Sequence, residues 1–316
     1  MVQGRAEVNV APRHRVINAM TVDVEEYFHV SGFADVIRPE DWPNFESRVE
    51  ANTRKLLNIF AAHEVVATFF VLGWVAERHP RLVQALRRAG HEVACHGHSH
   101  KLVYQSTPQE FRTDVRHAKT ILEDLAGTEV VGYRAPSFSI VRGSLWALDI
   151  LAEEGFQYDS SIFPIRRHRY GIPDAERFPH QWRSNNGKGL VQFPISTLRV
   201  CGVNVPVGGG GYLRLFPYAV TRWSIQHLNK TEGMPAIVYI HPWELDPAQP
   251  WVAGRLMNRF RQYVNLHTTE TKLHRLLGAF SFGSLQSLLR GLEEEAKPRS
   301  SLDPPSPSRR SAASDS

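Results

Sequence analysis

VVATFFVLG, residues 65–73, is an almost unbroken run of β-branched, aromatic and aliphatic side chains, and its one polar member, Thr68, is itself β-branched. A strand with one wet face alternates apolar and polar residues. A run without that alternation points to a strand covered on both faces, as in a parallel sheet flanked by helices. Working outward, SRVEANTRKLLNIFAAHE (47–64) precedes the run, with Val49, Leu56, Leu57 and Phe60 as a helical stripe. WVAERHPRLVQALRRAG (74–90) follows it as a helix interrupted near Pro80 and stopped at Gly90. The same alternation continues in both directions. VINAMTVDV (16–24), HEVACHG (91–97), VVGYRAP (130–136), LVQFPIST (190–197) and PAIVYIHP (235–242) read as strands. Thr107 and Glu110 form a capping-box pattern that opens a helix ended at Gly127. Further helices are expected at 144–155, after Pro217, and across 252–264 and 268–290.

Alternating strands and helices fit either a closed α/β barrel or an open doubly wound sheet. Polar placement separates them. Asp23, His96, Arg134 and His241 each stand at the C-terminal end of a different expected strand. One site drawing on several strand ends needs those ends to converge, which favours an α/β fold of the deformed (β/α) barrel kind. Residues 17–290 read as a single domain, with a helical extension over about 246–290. Residues 1–16 read as a disordered arm. Residues 291–316, which run into KPRSSLDPPSPSRRSAASDS, read as a disordered tail too poor in apolar residues to fold.

The chain has 316 residues, 42% of them hydrophobic, enough to bury a large core. Its net charge of +5 is concentrated in arginine-rich stretches around 166–183 and 255–275, suited to an acidic polymer or an anionic surface, but no nucleic-acid-binding motif accompanies it. Cys95 and Cys201 are the only cysteines, so no disulfide framework is implied. No stretch approaches the ~20 apolar residues of a spanning helix, and the first 17 residues lack a signal-peptide core. The default expectation is a cytoplasmic protein, with peripheral attachment to an envelope assembly left open.

In TVDVEEYF (21–28), Asp23 and Glu25 point to the same side of a strand. Two buried carboxylates side by side repel unless a cation lies between them, either a divalent metal or an arginine. GHEVACHGHSH (90–100) offers the metal alternative. His96 and His100 are four residues apart, a spacing that one helical turn brings onto one face. With one carboxylate they make a three-ligand set with an open position for water.

The two segments together are identified with a family. GHEVACHGHSH resembles the histidine element of the polysaccharide deacetylases, carbohydrate esterase family four, with the NodB-homology fold. TVDVE, GYRAPSF, GFQYDSSI and YIHPWE stand in the order of that family's other motifs, from about residue 18 to 245. The D-V-E form and the VGGGGYLRLFP and HPWELDP segments look like a subgroup found with bacterial exopolysaccharide and exosortase loci. The resemblance implies a metal-dependent N-deacetylase acting on N-acetylhexosamine units of a polysaccharide. It implies Asp23 as general base, Arg134 as its orienting partner and His241 as general acid. It implies Glu25, His96 and His100 as ligands of a divalent ion, Zn2+ foremost, with Co2+, Ni2+ or Mn2+ as alternatives. Glu26 is the rival third ligand, although strand alternation favours Glu25. Ser137, through its backbone N–H, together with Asp159 and Trp243, are the candidates for contact with substrate or oxyanion. Trp182, Trp251 and Tyr212 are candidates for stacking on sugar. Ala135 and Ser137 depart from the family's usual proline and aromatic. His91, His98 and Cys95 read as structural. A C–N hydrolase for a small amide and an inactive glycan-binding module are the competing functions.

Overall fold

The computed structural model describes residues 16–167, 170–183 and 187–296. The expected N-terminal arm, apart from its last residue, lies outside them. The strands are β1 (Asn18–Val24), β2 (Thr68–Val71), β3 (Glu92–Cys95), β4 (Gly132–Tyr133), β5 (Tyr158–Asp159), β6 (His180–Arg183), β7 (Gly189–Gln192), β8 (Thr197–Val200), β9 (Val203–Pro206), β10 (Ile237–Ile240) and β11 (Phe282–Gly283). The helices are α1 (Val49–Ala62), α2 (Gly73–Arg78), α3 (Pro80–Arg88), α4 (Pro108–Ala126), α5 (Trp146–Glu153), α6 (Gly211–Leu215), α7 (Tyr218–His227), α8 (Leu256–Tyr263), α9 (Leu266–Ala279) and α10 (Leu285–Ala296).

Nine strands form one sheet in the order β10-β1-β2-β3-β4-β5-β7-β6, with β11 also on β1, while β8 and β9 form a separate hairpin. Every pairing in the large sheet is parallel except β6 with β7. The sheet curls into a deformed barrel. Its seam is filled by irregular backbone: Gly208 O accepts from Tyr239 N (2.7 Å) and Gly210 N donates to Tyr239 O (2.9 Å). Gly209 has φ +117° between them, and a Cβ there would stand 2.0 Å from Tyr239 O, so only glycine lets the two backbones approach.

Strand periodicity sorts the side chains into two layers. Met20, Val22 and Val24 of β1, Phe69 and Val71 of β2, and Val93 and Cys95 of β3 pack outward against the helices. Ala19, Phe70, Ala94, Tyr158, Ile237 and Tyr239 fill the interior, where Leu285 and Leu289 of α10 join them. The N-terminus of α10 closes the barrel's lower end. Leu285 N donates to Thr68 Oγ1 (2.8 Å) and Gln286 N to Glu92 Oε2 (2.9 Å). Glu92 also accepts from Thr68 Oγ1 and Tyr158 Oη, both at 2.6 Å.

The helix over 107–125 forms as expected. Thr107 Oγ1 accepts from Glu110 N (3.2 Å), Glu110 Oε2 accepts from Thr107 N (2.8 Å), and Gly127 ends the helix in the left-handed region. Three expectations change. The strand expected over 190–197 ends at Gln192, and Thr197 already belongs to the separate β8–β9 hairpin. The helix expected over 268–290 is broken by β11 into α9 and α10, because Phe282 pairs with Asn18 at the sheet. The tail expected from 291 is helical through Ala296, because α10, anchored by its buried leucines, runs on to that residue. Residues 297–316 lie outside the described residues.

Candidate active site

The inward-facing positions of the strands turn polar at the C-terminal ends. On β1 the interior series Ala19, Thr21, Asp23 continues past the strand to Glu25, each fully or almost fully buried. β3 leads to His96 and β10 to His241 by the same alternation. Such buried acids and imidazoles are unfavourable unless they satisfy one another, and they do.

Arg134 is fully buried and serves as the hub of one half of the mouth. Its Nη1 donates to Asp23 Oδ1 (2.7 Å) and Thr21 Oγ1 (2.8 Å), and its Nε and Nη2 donate to Ser160 O and Ser160 Oγ. The guanidinium also lies over the Phe70 ring, 4.2 Å from its centroid. A fork of donors on a planar cation can hold a carboxylate in one orientation, which a lysine would not do. The arginine reading of the TVDVE carboxylates therefore holds for Asp23.

Glu25 faces the histidines. Its Oε2 is 2.6 Å from His100 Nε2 and 3.8 Å from His96 Nε2. Ligand atoms of Glu25, His96 and His100 all lie within 4.8 Å of one another. His96 Nδ1 is 2.8 Å from the carbonyl of Arg134. A carbonyl only accepts, so Nδ1 carries the hydrogen and the Nε2 lone pair is left free towards Glu25. Two imidazoles and one carboxylate, oriented in this way, fit a borderline divalent ion such as Zn2+. Burial works against ionising Glu25, yet the His100, His96 and His241 imidazoles hold its carboxyl well below the usual range. Glu26 points elsewhere. It accepts from Ser47 Oγ (2.5 Å), Arg48 N (3.1 Å) and Val49 N (3.2 Å), and so caps α1 rather than joining the cluster.

The helical reading of the His96–His100 spacing is corrected. Residues 96–100 form a loop, turned by Gly97 (φ +74°) and by His100 itself (φ +52°). It is this turn that aims both rings inward and His98 outward. His98 Nε2 stands 3.1 Å from Glu77 Oε2, away from the mouth. His91 accepts from Ala67 N (3.1 Å) within the core, and Cys95 is a fully buried thiol whose pKa burial pushes up to about 12.

His241 closes the opposite side. Its Nε2 is 3.9 Å from Asp23 Oδ2 and 3.6 Å from Glu25 Oε1. Its Nδ1 meets Glu244 Oε1 at 2.5 Å, and Arg214 Nε bonds Glu244 Oε2 at 2.9 Å. Burial alone would lower the imidazole's pKa, but the Glu244 hydrogen bond and the Glu25, Glu244 and Asp23 charges raise it to about 9. Glu244 and Arg214 were not singled out in the sequence. The signal available was the i, i+3 spacing of His241 and Glu244 in HPWE. Nothing local pointed to Arg214, 30 residues from its partner.

The remaining candidates divide. Trp243 is buried, stacks on His241 (centroids 4.9 Å, 20° between planes) and directs Nε1 to Glu25 Oε1 at 3.5 Å. Ser137, three residues beyond Arg134, has φ +52°, and Phe138 follows at +54°, so the chain accepts backbone strain to turn there. Asp159 is bonded within the fold. It is fully buried, both oxygens bond Ser161, and Ser161 Oγ in turn accepts from Ala135 N (2.7 Å), so Asp159 supports the Arg134 loop from behind. Trp251 is exposed and leans on Tyr263, whereas Tyr212 and Trp182 are partly buried against the core. His29, also overlooked, stacks on His100 at 5.9 Å inside a wall of Phe28, Trp42 and Trp74.

A curled α/β barrel with histidines and carboxylates gathered at its strand ends defines the class. Residues 40–157 match the family model "Polysaccharide deacetylase", and residues 160–290 match a domain of unknown function. Over residues 40–157 the chain is therefore similar to the polysaccharide deacetylases. It is 29% identical over 153 residues to the peptidoglycan deacetylase of Helicobacter pylori, covering 46% of this chain and 50% of the relative. It is 32% identical over 111 residues to a peptidoglycan-N-acetylglucosamine deacetylase of Bacillus cereus, covering 35% and 38%. The matches thus span half or less of these relatives' lengths. A Mycobacterium smegmatis crystal structure classed with the polysaccharide deacetylases shares the fold, with a TM-score of 0.61, 19% identity, and 95% and 99% of the two chains covered. The region of unknown function is not an appendage: it contributes β6, β7, β10, β11, α10, His241 and Glu244 to the same barrel. Among the described residues no helix is long and apolar enough to cross a membrane.

Proposed function

We propose that the protein is a metal-dependent N-deacetylase that removes acetyl groups from N-acetylhexosamine units of a bacterial polysaccharide, with residues 17–290 working as one domain. The observation that carries this reading is the convergence of Asp23, Glu25, His96, His100, Arg134 and His241 on one barrel mouth, with each charge partnered. Glu25, His96 and His100 would hold the ion, Zn2+ by donor type. Such an ion supplies Lewis acidity towards the amide carbonyl and makes a water easier to deprotonate.

The chain's own residues do the rest. Arg134 occupies Oδ1 of Asp23, which leaves Oδ2 as the proton acceptor for the attacking water. His241, protonated through its contact with Glu244, delivers a proton from Nε2 to the departing amine. Oδ2 and Nε2 are 3.9 Å apart, so base and acid flank the same small volume. The Ser137 N–H, offered by the strained turn, is the backbone donor for the developing oxyanion. Trp243 holds the His241 ring flat, and Thr21 shares the Arg134 fork with Asp23.

The test is acetate release from a panel of N-acetylated glycans, with ion content measured in parallel for wild type and Asp23→Asn. Release by wild type, lost by about 10²–10⁴-fold in Asp23→Asn at unchanged ion content, is the expected result. Bound ion without release from any glycan would favour the small-amide hydrolase. Glycan binding without ion or release would favour the inactive module.

A further inference from the structure

The loop that aims His96 and His100 inward holds His98 outward against two helices. His98 is fixed at its backbone: its N–H donates to Asp114 Oδ2 (2.8 Å) and its carbonyl accepts from Trp74 N (3.2 Å). Its ring lies against Gly73 at the start of α2, where a Cβ would stand 2.7 Å from His98 Cδ2. The Nε2 atom is buried and makes no well-directed hydrogen bond, although Glu77 Oε2 of α2 is 3.1 Å away. From α4, His117 brings its Nε2 to 3.4 Å from the other oxygen of Glu77, and the centroids of the two imidazoles are 4.5 Å apart with the rings tilted by 48°. Donor atoms of Glu77, His98 and His117 all lie within 4.8 Å of one another. Among the described residues only this set and the set at the mouth meet that condition.

We propose that Glu77, His98 and His117 form a second divalent-ion site on the outer face of the barrel. Two imidazoles and a carboxylate select a borderline transition ion, Zn2+, Ni2+ or Cu2+, over Mg2+ or Ca2+, which require more oxygen donors. The set combines one half-buried, backbone-fixed ligand with two exposed ones. It is therefore accessible from solvent and binds more weakly than a buried set. Its three ligands come from α2, α4 and the 96–100 loop, so an ion there ties both helices to the segment that carries His96 and His100. The outer ion is a clamp on that loop, not a participant in chemistry. The inference stands independently of the function proposed for the mouth.

Calorimetric titration of ion-stripped full-length protein with Zn2+ tests it, with thermal melting as the second readout. Wild type should bind two ions. His117→Ala and Glu77→Gln, both at exposed positions, should each lose the weaker step. Altering a group that merely supports a ligand weakens binding by about 10–100-fold, and removing a ligand should do at least as much. His100→Ala should lose the tighter step and keep the weaker. Excess Zn2+ should raise the melting temperature of His100→Ala but not that of His100→Ala/His117→Ala. Unchanged stoichiometry and an unchanged melting response in His117→Ala and Glu77→Gln would overturn the outer site. A single ion abolished by His117→Ala but retained by His100→Ala would support the outer site and instead remove the ligand set proposed at the mouth.

Discussion

The His241 imidazole is bonded through Nδ1 to Glu244 Oε1, while Glu244 Oε2 is held by Arg214, and both of these partners are almost completely buried. The acid therefore fixes which nitrogen of His241 carries a hydrogen towards the interior, and Nε2 is left facing Asp23 and Glu25. In ion-free protein His241 should titrate near pH 9. Replacing Glu244 by Gln removes the nearby charge and should lower that value by about 1–3 units, read from the imidazole signals in a proton NMR titration. An unmoved His241 would show that Glu244 only packs beside it.

Adjacent Glu25 and Glu26 have opposite assignments. Glu25→Gln should weaken ion binding strongly and should also lower the unfolding free energy of the ion-free protein near neutral pH, because the surrounding imidazoles favour the ionised carboxylate in the folded state. Glu26→Gln should leave ion binding intact but destabilise the fold by about 0.5–2 kcal/mol, as removal of a helix cap does. Calorimetry separates the two, denaturant unfolding checks the stability changes, and the reverse pattern of ion binding would exchange their roles.

Burial lowers the His91 pKa from 6.5 to about 4, and the ring's Nδ1 must stay unprotonated to accept from Ala67 N. The unfolded chain takes up this proton first as pH falls below about 6.5. The stability associated with neutral His91 is thus complete above that pH and declines down to about 4, by up to about 3 kcal/mol. His91→Gln should flatten the dependence of unfolding free energy on pH across this window. An unchanged slope would place the acid sensitivity elsewhere.

At the barrel seam, Gly209→Ala should destabilise the protein by about 1–3 kcal/mol from the backbone conformation alone, with the Tyr239 carbonyl clash adding to it. Gly233→Ala is the control. Its φ is also positive, but a Cβ there meets nothing within 4 Å, so only the conformational part of the cost should appear.

Much of this was readable from residue order. The unbroken apolar run at 65–73 and the strand-like segment at 16–24 pointed to the sheet, because a strand covered on both faces is apolar on both. Thr107, Glu110 and Gly127 marked a helix by local capping chemistry, and Asp23, Glu25, His96, His100, Arg134 and His241 could be marked as candidates from strand ends and motif order. Less readable were β6, β8, β9 and β11, which are short and partly exposed, so their sequences carry no sustained apolar run.

The sequence by itself determined the α/β alternation, the candidacy of Asp23, His96, His100, Arg134 and His241, and the preference for Glu25 over Glu26 by alternation. Local backbone geometry and local side-chain patterning suffice for these. Only the tertiary structure decided that Arg214 backs Glu244, that Asp159 works behind the Arg134 loop, that Glu26 caps α1 and that His98 meets Glu77 and His117. Each of these depends on which polar group finds which partner across the fold. That choice is set by the closure of the barrel and the cost of leaving a buried polar group unpaired, and neither leaves a mark in local sequence.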